Sequence, residues 1–300
     1  MIIKFYVKQS ILFLLFFVLL SCNENPETNV NKSFILDDLG KTFEPKSKIE
    51  RIVSLAPNLT ELLFSLKVGN KIVGNTKYCN YPDSAKSIEK VGDLLTVDAE
   101  KIVTLKPDII FITVEGNSKF DYDKLKQLGF NVFVSNPKNF KGIKKTLKDM
   151  SKILDREKYA DSLIENWDLR IAKVKETHKV IVAETALFLV STNPIFTVGK
   201  NSFINEIITF AGLKNIAADK DINYPLLNRE EILKRDPDYI ILYETNTNKF
   251  DELLKVYPEW NTLKAVVNKR IFFINADLYS RPGPRFVDAV ENLNKMILKN

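Results

Sequence analysis

Histidine is almost missing from this chain: His178 is the only one among 300 residues. That removes the commonest general base and the commonest metal ligand from most of the molecule. A lone histidine at the end of a predicted helix reads as a cation facing the helix dipole, not as a catalyst. Cysteine is nearly as scarce, with Cys22 and Cys79 alone, and no CxxC or HExxH spacing occurs, so neither a structural disulfide nor a metal site is expected. Glycine is low at ten residues; a phosphate-cradling glycine loop and a G-x-S-x-G elbow are both absent. The longest apolar run, Ile11 to Leu20, has ten residues, half of what a spanning helix needs. Basic residues interleaved with aromatics, the mark of a nucleic-acid surface, are not found. Nothing here calls for a catalytic residue, a resident metal or a cofactor.

What is present begins with an export signal. Lys4 and Lys8 precede the apolar run, which ends in Leu19-Leu20-Ser21-Cys22, a sequence that resembles a bacterial lipobox. It implies cleavage after residue 21 and lipidation of Cys22, converting the membrane relation from spanning to anchored. Loss of residues 1–21 lowers the formal charge from +6 to +4. Residues 22–33, CNENPETNVNKS, are nearly free of apolar side chains and read as a flexible tether. Lys138, Lys141, Lys144, Lys145 and Lys148 recur at helical spacing; they read as a solvated face, with anionic lipid or a partner as the other reading.

One pattern occurs twice. Glu100, Ile102, Pro107, Asp108 and Ile110 spell E-x-I-x4-P-D-x-I, and Glu230, Ile232, Pro237, Asp238 and Ile240 repeat it. Asp98 and Asn228 are N-cap types, Asn228 with Glu231 spells a capping box, and each proline ends a helix. The apolar runs that follow predict buried parallel strands. Alternation of strands and helices elsewhere predicts an α/β fold. Between residues 143 and 193 neither proline nor glycine appears, and Tyr159, Leu163, Trp167, Ile171 and Val174 form one apolar stripe. That predicts a rigid helix over 155–177, on the order of 30 Å long. The expected organisation is therefore signal 1–21, tether 22–33, an α/β lobe 34–154, the bridging helix 155–177 and a second α/β lobe 178–300. Alanine, proline and asparagine at 56–58 are expected to break the chain between a strand and a helix at Thr60–Leu66. Strands are also expected at Val180–Val182 and Ala186–Val190.

Two lobes with central, mostly parallel sheets leave a cleft at the strand ends, where ligands of such sheets sit. Tyr78, Tyr81, Thr113, Phe196, Tyr224, Asp277 and Arg281 fall in loops after predicted strands. The aromatics among them suit a large, partly flat ligand. Arg281 has a second reading, a simple ion pair with Asp277. Glu100 and Glu230 also have two: first-turn acids favoured by the helix dipole, or exposed carboxylates that dock on a symmetric partner.

Several stretches together resemble a known family: Asp38-Leu-Gly40, Arg51-Ile-Val-Ser-Leu-Ala-Pro57 with Thr60-Glu-Leu62, Tyr78-x-x-Tyr-Pro82, and the first repeat copy. Phe196-Thr-Val-Gly199, Asn228-Arg-Glu230 and Arg281-Pro-Gly-Pro-Arg285 continue it in the second half. Over about residues 34 to 298 the chain looks like a class III substrate-binding protein of ABC importers, the group of vitamin B12 and iron-siderophore binders. The resemblance implies a cleft with little hinge motion, no catalysis, and a membrane permease dimer with its ATPase as partner. It places Glu100 and Glu230 on the glutamates that meet permease arginines, and Tyr78, Tyr81, Phe196, Tyr224, Asp277 and Arg281 in or near ligand-contacting segments. Leu94, Thr113 and Tyr224 stand where vitamin B12 binders present tryptophans. The resemblance makes a corrinoid the first expected ligand and a ferric siderophore or haem the second. Zinc- and manganese-binding relatives hold their metal largely with histidines, which His178 alone cannot supply. The implied setting is the periplasm or cell envelope, with a lipid anchor; a surface or adhesion lipoprotein reusing the fold is the alternative of a different class.

Overall fold

Continuous apolar runs become strands covered on both faces, as the parallel arrangement requires. The structure, a computed structural model, describes residues 34–44, 48–93, 96–178 and 184–299. The signal, Cys22, the tether, Leu94 and the strand expected at Val180–Val182 lie outside the described residues. Among the described residues, no helix is long and apolar enough to cross a membrane.

The strands are β1 (Ile35–Leu36), β2 (Thr42–Phe43), β3 (Ile52–Ser54), β4 (Ile72–Asn75), β5 (Ile109–Thr113) and β6 (Val132–Ser135), then β7 (Thr185–Thr192), β8 (Ile195–Thr197), β9 (Lys214–Asn215), β10 (Tyr239–Tyr243) and β11 (Ile271–Ile274). β3 to β6 form one sheet in the order β4-β3-β5-β6, every pair parallel. The second sheet runs β11-β10-β7-β8 with β9 also beside β7; only the β7–β8 pair is antiparallel. All five residues of β5 are buried. The fold is α/β with two such sheets, each carrying one copy of the repeat.

The repeat shows why its residues recur. Helix Ala99–Leu105 starts on Asp98, whose carboxylate accepts the Lys101 N–H at 2.9 Å, and ends on Lys106 in the left-handed region at φ 46°. Helix Arg229–Arg235 starts on Asn228, which accepts the Glu231 N–H at 2.7 Å, and ends on Asp236 at φ 40°. Ile102 and Ile232 are fully buried. Asp108 then accepts the Glu50 and Arg51 N–H groups at 2.8 and 2.9 Å, and Asp238 accepts the Thr185 N–H and hydroxyl, both at 2.8 Å. Each aspartate thus clamps the start of the neighbouring strand. A hydrogen bond to a charged acceptor contributes about 1.5–3 kcal/mol. The capping box is only half formed: the Glu231 carboxylate turns to Arg235 and Lys220 instead of reaching back to Asn228.

The bridging helix runs Glu157–Glu176. Its buried face is Ala160, Trp167, Ile171 and Val174; Tyr159 is half exposed and Leu163 only partly covered, so the stripe rotates by one residue in the first turns. Four rings meet around Phe140, that of Trp167 among them. Phe140, at the start of helix Phe140–Ile153, stacks on Phe286 of the terminal helix Phe286–Leu298 at 4.8 Å between centroids and 14° between planes. Phe210, ending helix Phe203–Phe210, meets both edge-on. Arg170 adds bonds of 2.6 and 2.7 Å to Asp288 and Glu291, and the Phe140 N–H donates to Glu206 at 2.6 Å.

Candidate ligand cleft

The first sheet ends in three loops that share one space. The chain leaves β3 through Leu55 and Ala56 and enters a helix at once: Pro57–Ser65 is helical, with Pro57 in the first turn. The expected break at residues 56–58 is therefore a helix start, because proline lacks a donor that this position would leave unused. After β5, Asn117 donates to the Leu55 carbonyl at 3.1 Å and accepts the Thr113 N–H at 3.0 Å, fixing the loop that presents Glu115. After β6 come Asn136 and Pro137. A cavity of about 310 Å³ lies among these loops, closed by Asp277, Ser280, Arg281 and Pro282 from beyond β11. This is the carboxyl-end position that α/β sheets offer to ligands.

The wall between the two halves is held by a buried charge cluster. Glu61, 2 % exposed, lies on helix Pro57–Ser65. Arg281 donates to it at 3.0 Å, and Arg285 donates twice, at 2.9 and 2.6 Å. Arg281 donates further to Asn80 at 2.8 Å and to the Tyr78 carbonyl at 3.2 Å, and pairs with Asp277 at 2.6 Å. Asn80 closes the ring by donating to Asp277 at 2.7 Å. Burial alone would lower the Arg285 pKa; the Glu61 carboxylate outweighs it and holds the guanidinium more firmly protonated than usual. Gly283 packs against Asn58, where a Cβ would stand 3.3 Å from the asparagine side chain.

The seven residues expected at the ligand divide. Tyr78, Thr113, Asp277 and Arg281 line the cavity. Tyr81 is not part of the lining; it is half exposed, with the Arg285 guanidinium 4.2 Å over its ring. Phe196 and Tyr224 belong to the second sheet's side, where Phe196 bridges to Leu226 and Asn223 donates to Glu115 at 3.3 Å. Gly199 permits this wall, since a Cβ there would meet the Ile222 carbonyl at 2.0 Å. Partial burial pushes the Tyr224 phenol up; a Ser202 hydrogen bond opposes this and the Glu115 charge adds to it. Arg281 pairs with Asp277 as one reading had it, and with Glu61 as well.

Sequence reasoning missed Glu61, Arg285, Glu115 and Tyr243. Tyr243 ends β10, lies edge-on to Phe188 at 5.6 Å, and has a phenol that burial pushes far up, with Tyr224 close by. It occupies in the second repeat copy the place of Thr113 in the first, so the repeat itself held the signal. Cys79 is buried between the Thr60 and Thr76 hydroxyls, each 3.2 Å from its sulfur. No group of three or more metal-ligating side chains is found among the described residues.

Glu100 and Glu230 are both exposed. Each lies in the first turn of the helix that leads into an interior strand of its sheet, β5 or β10. Neither takes an ion-pair partner among the described residues.

The periplasmic binding protein family matches residues 52–278, and the chain belongs to that family: a class III binding component of ABC importers, without enzymatic activity. An uncharacterised ABC transporter substrate-binding lipoprotein of Bacillus subtilis is 33% identical over 260 residues, covering 84% of this chain and 81% of its own. A vitamin B12-binding protein of Vibrio cholerae is 30% identical over 245 residues, covering 81% and 87%. The crystal structure of a possible iron-binding periplasmic solute-binding protein from Staphylococcus epidermidis superposes with a TM-score of 0.76 at 29% identity, covering 84% and 99%.

Proposed function

We propose that this chain is the substrate-binding lipoprotein of an ABC importer that captures a metal chelate, a corrinoid first, and delivers it to an inner-membrane permease. The observation that carries this reading is the cavity at the strand ends of the first sheet, closed by Asp277 to Pro282 and lined by Tyr78. Its lining joins the ring of Tyr78 to polar groups of Asn58, Thr113, Asn136 and Arg281, which suits a ligand with both a flat face and many polar atoms, as a chelate has. Similarity to a vitamin B12-binding protein over four-fifths of the chain supports the corrinoid. Cys22 would carry the lipid, holding the protein at the envelope membrane. Glu100 and Glu230 would dock on paired basic sockets of the permease dimer, and their exposure without a partner supports that role.

A ferric siderophore or haem is the second reading. It is favoured by Thr113 and Tyr224 at positions where vitamin B12 binders present tryptophans, and by the likeness to a possible iron-binding protein. Trp167 and Trp260 are both buried, so calorimetry reports binding better than tryptophan fluorescence. Titration with cobalamin, cobinamide, haem and ferric siderophores tests the reading; heat from none of them would count against it and favour a surface lipoprotein reusing the fold. Replacing Glu100 and Glu230 together by alanine is expected to abolish uptake while leaving the calorimetric titration unchanged. Uptake at the normal rate would sink the docking role.

A further inference from the structure

The charges that line the cleft do not balance. Among the described lining residues Arg281 is the one cation, against the carboxylates of Glu115 and Asp277. Its guanidinium is already bound to Glu61, Asp277, Asn80 and the Tyr78 carbonyl. The next guanidinium, Arg285, is tied to the same Glu61 by two hydrogen bonds. Lys77, next to Tyr78, is bonded to Asp93 at 2.7 Å. An anionic ligand would thus find both arginines and Lys77 already bonded to carboxylates, and would face Glu115, exposed and held by a 3.3 Å contact from Asn223. Displacing Glu61 from the arginines would leave a buried charge unpaired, a cost that no rim contact offsets.

Resting on the reading of this cleft as a chelate site, we infer that it selects its ligand by charge. It takes neutral or cationic chelates and turns away anionic ones. Corrinoids and neutral ferric trihydroxamates fall on the accepted side. Ferric tris-catecholates, with three net negative charges, and haem, with two carboxylates on its rim, fall on the other. Glu115 and Asp277 are the specificity-determining residues, and Glu61 sets the sign by occupying both arginines.

The experiment is calorimetry on the mature chain with four probes: cationic diaquacobinamide, neutral dicyanocobinamide, a neutral ferric trihydroxamate and a ferric tris-catecholate. The tris-catecholate is expected to bind at least about a hundredfold more weakly than the best neutral probe at low salt, and the gap should narrow as salt is added. Glu115→Gln and Asp277→Asn should each close that gap by about tenfold, and each should weaken diaquacobinamide relative to dicyanocobinamide. Unchanged thermal melting of Glu115→Gln, whose side chain is exposed, shows that its effect is not unfolding. A tris-catecholate bound as tightly as the neutral probes, or a gap that neither variant moves, overturns the selection by charge while leaving the cleft a chelate site. Silence from all four probes would overturn both.

Discussion

Glu61 shows how much one side chain can hold. It is a carboxylate almost without solvent, facing two guanidinium groups from more than two hundred residues further along the chain. Removing one member of a buried ion cluster leaves the others uncompensated, which costs about 3–5 kcal/mol. Glu61→Ala is accordingly expected to lower the unfolding free energy by that amount, read as a lower urea midpoint at unchanged slope, whereas Glu61→Gln, which keeps one acceptor, should cost clearly less. None of this was legible in the sequence, because an ion pair over such a separation leaves no periodicity behind. In the sequence Thr60-Glu61 reads as part of a short helix and of a family stretch, and neither names its partner. For Arg281, four residues after Asp277, the sequence offers that neighbouring acid as the partner. Tyr243 was a different kind of miss, since the repeat pairs it with Thr113 and only the comparison of the two copies was wanting.

The repeat was the most legible element, since buried parallel strands keep a continuous apolar spelling and proline and aspartate punctuate them. The structure adds the reason for the aspartate. Asp108→Ala and Asp238→Ala should each destabilise by about 3 kcal/mol, the low end for losing two hydrogen bonds to a charged acceptor, since both are partly exposed. Equal losses measured by denaturation would mark them as equivalent clamps; both lie at strand starts, away from the cleft, so ligand affinity should not change. Strand β10 carries a second prediction. Burial, with a hydrogen bond to Glu184 at 3.0 Å, pushes the Tyr239 phenol from 10.0 up to about 12, and burial pushes Tyr243 up as well. Above pH 10 the unfolded chain releases protons that the native strand retains, so the stability these residues contribute is full below pH 10 and declines from there toward pH 12. Thermal melts across that range, with tyrosinate absorbance followed in parallel, check it. The edge strands β8 and β9 and helix Thr247–Val256 went unread, being too short or too polar on one face to give a clear period. In the bridging helix, Ala160 takes the buried place expected of Tyr159, a shift of one residue that an apolar count alone does not reveal.

At the scale of the molecule, the two sheets are tied together on two sides. On one, Phe140, Trp167, Phe210 and Phe286 pack around the long helix, with Arg170 and Glu206 bonding across. On the other, the Glu61 cluster joins the cleft wall to the segment after β11. Glu61 and Glu206 occupy corresponding places in two helices of similar spelling, and each bonds at the start of a long helix, Arg285 before Phe286 and the N–H of Phe140. A body fastened this way is expected to keep its radius of gyration within experimental error when a chelate is added, as solution scattering can measure. Contraction by more than about 1 Å would contradict it.

Those fastenings make the protein a vessel more than a trap. If the radius of gyration holds as expected, its mouth keeps one width whether full or empty, and occupancy is written in what fills the mouth and hardly in the outline around it. Pouring out the contents then needs an outside hand to pry the rim, and the place where prying would meet most resistance is the carboxylate of Glu61.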